Sequence, residues 1–375
     1  MTALGLPDHN SRFHRHELIT WWDQSALAKA KVLVVGAGAL GNEVVKNLVL
    51  VGVGHIEVCD MDTIENSNLA RCVFFRPSDV GQYKAEVLAK RAQELYDEVT
   101  VISHRLPIQR LGAGYLAGFD LVIGALDNRE ARAWVNQACR KLGLHWIDGA
   151  IEGLRGLARM FAPEGACYAC TLTDADYRQM SHRKSCALLS PADLLEGKTP
   201  TNVSTASIIA AVEVQEAVKY LVGHHAALSL MGKAWMFTGD VMDAYISRYQ
   251  EDEYCMAHDR YESIKATDAK NLSELMASFN ISEVVAIDFE EELIELSPCN
   301  KCGSGESFTS FRSAVPLGRG RCECGSDFPG TMAGSIEPSH PMVNQSFAEL
   351  GAAWSELVTI RTQTERYHFA IEGRK

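Results

Sequence analysis

Acids, cations and cysteines stand in this chain at spacings that could do chemistry. Two carboxylates flank Met61 in Asp60-Met61-Asp62, and Asn68, Arg71 and Lys84 follow within a few turns of chain. An enzyme that attacks a nucleoside triphosphate needs cations on the phosphates and carboxylates for Mg²⁺. Asp127 and Asn128 close the apolar run 119–126. An acid at the carboxyl end of a parallel strand faces the ligand crevice of an open α/β sheet, although either residue also suits a helix N-cap. Cys186 ends the polar stretch Ser181-His182-Arg183-Lys184-Ser185, and cationic neighbours favour the nucleophilic thiolate. A lone cysteine is otherwise most often a small buried hydrophobe, which is the reading that suits Cys59, Cys72 and Cys139.

The elements that must position these groups begin with the aliphatic run 32–35, read as a buried parallel strand. Gly36-Ala37-Gly38-Ala39-Leu40-Gly41 opens a helix reaching about position 51, and a second strand over 56–59 delivers Asp60. Strand, glycine turn, helix, strand and acid together seat a nucleotide. Gly36 permits the tight turn, Gly38 lets backbone approach phosphate, Gly41 lets helix meet strand, and Asp60 takes the ribose hydroxyls. Taken alone, this unit suits an NAD-dependent oxidoreductase. That reading leaves Arg71, Lys84 and Cys186 without a task, because a dehydrogenase keeps the pyrophosphate intact. A helix is expected over 85–95, a strand over 99–103, a helix over 130–142, further strands from 145 and over 157–161, and a core helix over 206–222.

The remaining cysteines fall into metal-ligand spacings. Cys167-Tyr-Ala-Cys170 and Cys255-Met-Ala-His258 would supply three thiolates and one imidazole to a structural Zn²⁺, with His258 the ligand least fixed by sequence. Cys299-Asn-Lys-Cys302 and Cys322-Glu-Cys324 enclose a Gly/Ser-rich loop and form a zinc-ribbon pattern. The chain has 375 residues, a net charge of −12 and eleven cysteines. The length suggests two domains. The acidic balance argues against a general nucleic-acid or membrane surface. No signal peptide is evident, and cysteines paired at metal spacings in a leaderless chain point to the cytoplasm. Beyond 259, a helix over 271–279, a strand over 284–289, a helical stretch over 346–356 and a strand over 367–371 are expected.

With the glycine turn, the D-x-D pair, Ser67-Asn68-Leu69-Ala70-Arg71 and Gly81-Gln-Tyr-Lys84 in view, the chain resembles the ubiquitin-activating enzyme superfamily of ThiF, MoeB and HesA type. The likeness runs from about Arg12 to His258, with Cys72 in place of the family's Gln. It implies an α/β fold: a Rossmann-like adenylation domain with a mostly parallel sheet over 1–258, then a small α+β zinc-containing domain over 259–375. The second domain's likeness to a ubiquitin fold is slight, and a regulatory domain fits equally.

The resemblance also implies roles. Arg15, in Arg12-Phe-His-Arg15-His16, would reach a partner subunit's ATP site from a homodimer. Asp127 would hold Mg²⁺, and Cys186 would accept the acyl group. The expected reaction is adenylation of the C-terminal glycine of a ubiquitin-like protein by Mg·ATP, thioester formation on Cys186 and handover to a conjugating enzyme. Activation of a sulfur-carrier protein is the nearest alternative; adenylation of a small acid or modified tRNA and a pure nucleotide-binding module lie further off.

Overall fold

The computed structural model describes residues 10–178, 200–228, 230–305, 307–315 and 320–373. Cys186 lies outside the described residues. Two compact units divide the chain. The first comprises Met1–Leu106, Gly118–Thr171 and Thr199–His258, and the second Pro107–Ala117, Leu172–Lys198 and Asp259–Lys375.

The first unit is built on an eight-stranded sheet of order β3-β2-β1-β4-β5-β6-β7-β8. Its strands are β1 (Lys31–Val35), β2 (His55–Cys59), β3 (Thr100–His104), β4 (Leu121–Gly124), β5 (Trp146–Glu152), β6 (Arg155–Phe161), β7 (Lys233–Thr238) and β8 (Asp243–Arg248). The ladders from β3 to β5 are parallel, and those from β5 to β8 are antiparallel. Val32 to Val35 are buried, and all of β4 is buried. A strand covered on both faces is expected to be apolar throughout, as these are.

The helices are α1 (His14–Glu17), α2 (Gln24–Lys29), α3 (Ala39–Val51), α4 (Lys84–Gln93), α5 (Arg129–Leu142) and α6 (Val203–Leu221). Helix α3 ends on Gly52 in the left-handed region at φ 80°, the usual stop for a helix. The core gathers Val32, Val34, Val44, Leu48, Ile56, Ile123, Ile209 and Val214, all buried. Strand order reverses between β1 and β4, so the crevice at their carboxyl ends is the switch point where such sheets bind ligands.

The second unit has a six-stranded sheet in which β11-β10-β13-β14-β9 are neighbours and β12 pairs with β10. The strands are β9 (Ile264–Ala266), β10 (Val284–Leu296), β11 (Phe308–Phe311), β12 (Gly330–Ile336), β13 (Glu356–Thr362) and β14 (Arg366–Ile371). Helix α7 (Leu272–Ser278) lies in the 271–279 window, capped by Asn271. Its Leu272 and Leu275 join Ile287, Phe311, Val358 and Phe369 in one core. Segment 107–117 is stitched into this unit: Gly114 N–H donates to Ser355 O at 2.9 Å, and Trp354 N–H to Arg110 O at 3.1 Å.

The helix expected over 346–356 does not form. Ser346 and Glu349 cap each other's backbone N–H as at a helix start, but one turn later Gly351 takes φ 70°. Chain direction reverses there, and Glu356 begins β13. The capping signal was genuine; the glycine ends the turn.

Gly36, at φ 108°, has no space for a side chain: a Cβ would lie 2.3 Å from Ala125 O. At Gly41 the same atom would lie 1.9 Å from Gly36 O. Both obstacles are backbone, which cannot step aside as a side chain can. Gly41→Ala is therefore expected to destabilise the first unit by about 1–3 kcal/mol, read as a lower denaturant midpoint with an unchanged slope.

Candidate active site and metal centres

Local hydrogen bonding carries the acids to the switch point. Gly36 N–H donates to Cys59 O at 2.9 Å, tying the glycine turn to the end of β2. Ala37 N–H then donates to Asp60 Oδ2 at 2.7 Å, and Asp62 N–H to Asp60 Oδ1 at 2.8 Å. Each oxygen has a second lone pair with which to accept a further hydrogen bond. Burial pushes the Asp60 carboxyl above its ordinary value, against the pull of Lys84 and the two N–H donors.

Lys84 is the first residue of α4, where a cation opposes the helix dipole. Its backbone N–H donates to Asp62 O at 2.9 Å, and its Nζ meets Asp62 Oδ2 at 2.8 Å. Burial works against the ammonium form, but Asp60, Asp62 and Asp127 outweigh it and raise the lysine above its usual value. Asp60, Asp62, Lys84 and Asp127 therefore share one electrostatic site. Gly38 belongs to it as well: a Cβ there would meet nothing within 4 Å, so this turn faces open space at the N-terminus of α3. Free N–H groups and the helix dipole favour an anion in that place.

Several other predicted site residues also make local contacts. Asn68 is buried, and its Oδ1 accepts from Glu65 N–H at 2.8 Å in a capping box. Arg71 Nη1 donates to Ser67 O at 2.7 Å. Arg71 and Lys84 both pull on the Cys72 thiol, which burial nonetheless pushes up to about 11. Cys59 and Cys139 are buried too, and burial raises both thiols. Asn128 caps α5 by accepting from Ala131 N–H at 2.8 Å, leaving the exposed Asp127 at the mouth of the crevice. Arg15 is exposed on α1, an arm that Phe13 anchors against Tyr96 with 5.6 Å between ring centroids.

One buried ion network was hidden from sequence reasoning. Asp148, wholly buried on β5, accepts from Arg132 Nε at 2.9 Å and from Arg159 Nη2 at 2.7 Å. Arg132 also donates to Leu126 O and Gly149 O, bracing the turn that carries Asp127. The acid in Ile-Asp-Gly-Ala was visible, but its two arginines are eleven and sixteen residues away on other elements.

Both cysteine clusters converge. In the first unit Cys167 Sγ lies 3.7 Å from Cys170 Sγ and 3.8 Å from Cys255 Sγ, and His258 Nε2 lies 3.2 Å from Cys170 Sγ. Four thiolates at about 2.3 Å from zinc stand about 3.8 Å apart on a tetrahedron, so the donor spacing fits that ion. The other nitrogen of His258 faces Glu251 Oε1 at 3.6 Å, the kind of carboxylate support that orients a ligating imidazole. In the second unit Cys299, Cys302, Cys322 and Cys324 gather with Cys299 Sγ 3.7 Å from Cys324 Sγ and Cys302 Sγ 3.4 Å from Cys322 Sγ. Both sets are compatible with zinc.

The ThiF family model matches residues 12–255. The chain belongs to the ThiF family. It is 42% identical over 161 residues to the NEDD8-activating enzyme E1 catalytic subunit of Caenorhabditis elegans, covering 39% of this chain and 37% of that protein. It is 37% identical over 153 residues to the SAMP-activating enzyme E1 of Haloferax volcanii, covering 40% of this chain and 57% of the other. The chain thus spans less than two thirds of the length of these relatives. Among solved structures, E. coli MccB with ATP aligns at a TM-score of 0.56 and 22% identity, over 68% of this chain and 76% of that one. That likeness is one of fold, and it agrees with the mostly parallel α/β architecture. Among the described residues no helix is long and apolar enough to cross a membrane.

Asp148→Ala would leave two buried guanidinium groups without their carboxylate. It is expected to cost about 3–5 kcal/mol of folding stability, measured by urea denaturation. Elemental analysis of the purified protein is expected to find about two zinc ions per chain, as two four-donor clusters require. Cys299→Ser should remove one of them and leave the other bound.

Proposed function

We propose that this protein activates a ubiquitin-like protein by adenylating its C-terminal glycine and then holding it as a thioester. The observation that carries the reading is the placement of Lys84 among Asp60, Asp62 and Asp127 at the switch point. A cation held among three acids suits a Mg·triphosphate, because Mg²⁺ can take carboxylate oxygens while the phosphates take the ammonium. Relatives named as activating enzymes for NEDD8 and SAMP support the same direction.

In this reading the glycines and the α3 N-terminus cradle the phosphates, Asp60 takes the ribose, and Asn68 and Asn128 line the approach. A carboxylate oxygen of the carrier attacks the α-phosphorus. The bond from that phosphorus to the bridging oxygen breaks, and pyrophosphate leaves with the electron pair. Arg71, Lys84 and the partner subunit's copy of Arg15 neutralise the repulsion between two anions, which makes a homodimer the working assembly. Asp62 and Asp127 hold Mg²⁺. The Cys186 thiolate then attacks the acyl carbon, the bond to the phosphate oxygen breaks, and AMP departs. A conjugating enzyme would receive the carrier from Cys186. Zinc in both clusters serves structure, since neither set has a fourth position left for water.

The test uses Mg·ATP, a glycine-ended carrier and a non-reducing gel. Wild type is expected to form a thiol-sensitive adduct that Cys186→Ala loses, while ATP–pyrophosphate exchange persists in the variant. Exchange without any adduct in the wild type would replace the thioester step with adenylation alone, as for a sulfur-carrier protein. Lys84→Ala is expected to lower the exchange rate at least 100-fold, on the scale of lost preorganised charge stabilisation.

A further inference from the structure

Glu213 sits in the middle of α6 and is completely buried. Neither of its carboxyl oxygens has a hydrogen-bond partner among the described residues. An ionised carboxylate in that state would be prohibitively costly, so the group is held as the neutral acid. Burial pushes its carboxyl well above the ordinary glutamate value; Asp148 adds to the shift and Arg132 opposes it.

Its position is specific. Gly149 on β5 has no room for a side chain because a Cβ there would lie 2.6 Å from Glu213 Oε2 and 2.6 Å from Leu40 Cδ2. Glu213 and Leu40 therefore flank the same point. Leu40 belongs to the first turn of α3, whose N-cap is Gly38. Gly149 follows Asp148, which pairs in register with Gly124 at the end of β4. The acid thus lies at the level of the switch point, under the turn whose N–H groups face the open crevice. Several charged groups on the surrounding elements have partners of their own. Arg159 of β6 binds Asp148, and Glu43 and Lys46 of α3 bind each other.

We propose that Glu213 is a positioning residue whose proton sets nucleotide affinity. As the neutral acid it supports the first turn of α3; as a carboxylate it places a negative charge beneath the turn that must receive phosphate. The sign follows from linkage. A bound triphosphate disfavours ionisation of Glu213, so nucleotide binding and the proton reinforce each other, and affinity falls as pH rises through the range where the buried acid titrates. Nothing in this role requires Glu213 to touch substrate. The proposal rests on the adenylation reading only in taking a nucleotide at the glycine turn.

The experiment measures the Kd of Mg·ATP for wild type and Glu213→Gln by calorimetry from about pH 6 to about pH 9, the span in which buried carboxyls titrate. The two proteins are expected to converge at the acid end. At the alkaline end wild type should bind about tenfold more weakly than the variant, the scale for one charge near a triphosphate at an effective dielectric near 20. Glu213→Met, apolar and of similar length, gives the same comparison if the glutamine variant does not fold. Parallel pH profiles in wild type and variant, or weaker binding by the variant at every pH, would overturn the proposal. Wild type that binds no nucleotide at any pH would instead overturn the adenylation reading and this proposal with it. A purely structural role for Glu213 would move both profiles together and leave their ratio flat.

Discussion

Backbone meets backbone at Gly36, Gly41 and Ala125 with no room for a methyl group. That contact seats the start of α3 against the end of β4, and the rest of the site hangs from it. Ala37 N–H, which lies before the helix N-cap and has no partner in the helix ladder, donates to Asp60. Asp60 then orients the chain through Asp62 N–H, and Asp62 receives both the backbone N–H and the ammonium of Lys84. A displacement of the glycine turn would pass along this line of hydrogen bonds to every charge at the crevice.

The charged pairs of the first unit sit in two different environments. Lys84 is paired with Asp62, whose side chain is about half exposed (51%). The lysine end is mostly buried (13% exposed), so the pair is half-buried, and water screens only its carboxylate end. Asp148 is the opposite case. Its two arginine partners are buried with it, and breaking either contact would strand a charge in low dielectric. One carboxylate therefore faces solvent beside Lys84, and the other ties β5 to α5 and β6. Their environments, not their side-chain chemistry, separate the two roles.

That separation explains what could be read from the chain beforehand. Apolar runs such as 32–35 and 121–124, and the glycine turn between strand and helix, announce the parallel half of the sheet because local pattern and burial coincide there. Asp60 and Asp62 were legible because they end the strand after the glycine turn, Lys84 because a cation at a helix start asks for a reason, and Asp127 because it ends an apolar run. Asp148 was not, since its meaning depends on Arg132 and Arg159 arriving from separate elements. Glu213 stood in view as an acid inside an apolar helix, and only its tertiary surroundings show that it lacks a partner. Asn128 was read both as a ligand contact and as a possible cap, and the structure uses it as the cap of α5; Asn68 was read as a ligand contact, and its capping box went unread. The stretch 346–356 was misread because Ser346 and Glu349 do start a turn, and helix propensity gave no weight to the left-handed Gly351. Cys186 is a matter of chemistry rather than of the described architecture.

The two cysteine clusters differ in what surrounds them, and this separates their structural tasks. In the first unit Asn136 of α5 donates to Cys167 Sγ at 3.4 Å and accepts from Tyr168 N–H at 2.8 Å, while Arg140 of the same helix donates to Gly165 O at 2.7 Å. That knuckle is fastened to the sheet domain even before a metal is considered. In the second unit, Cys302 and Cys324 are exposed, and the apolar core draws on Leu272, Ile287, Phe311, Val358 and Phe369; among the described residues between Cys299 and Cys324, only Phe311 of β11 joins it. The ribbon has too little apolar surface to order itself, so a metal on its four cysteines would supply locally what a core supplies elsewhere. Zinc in the first cluster would reinforce a fold that is already braced; in the second it would define the loop.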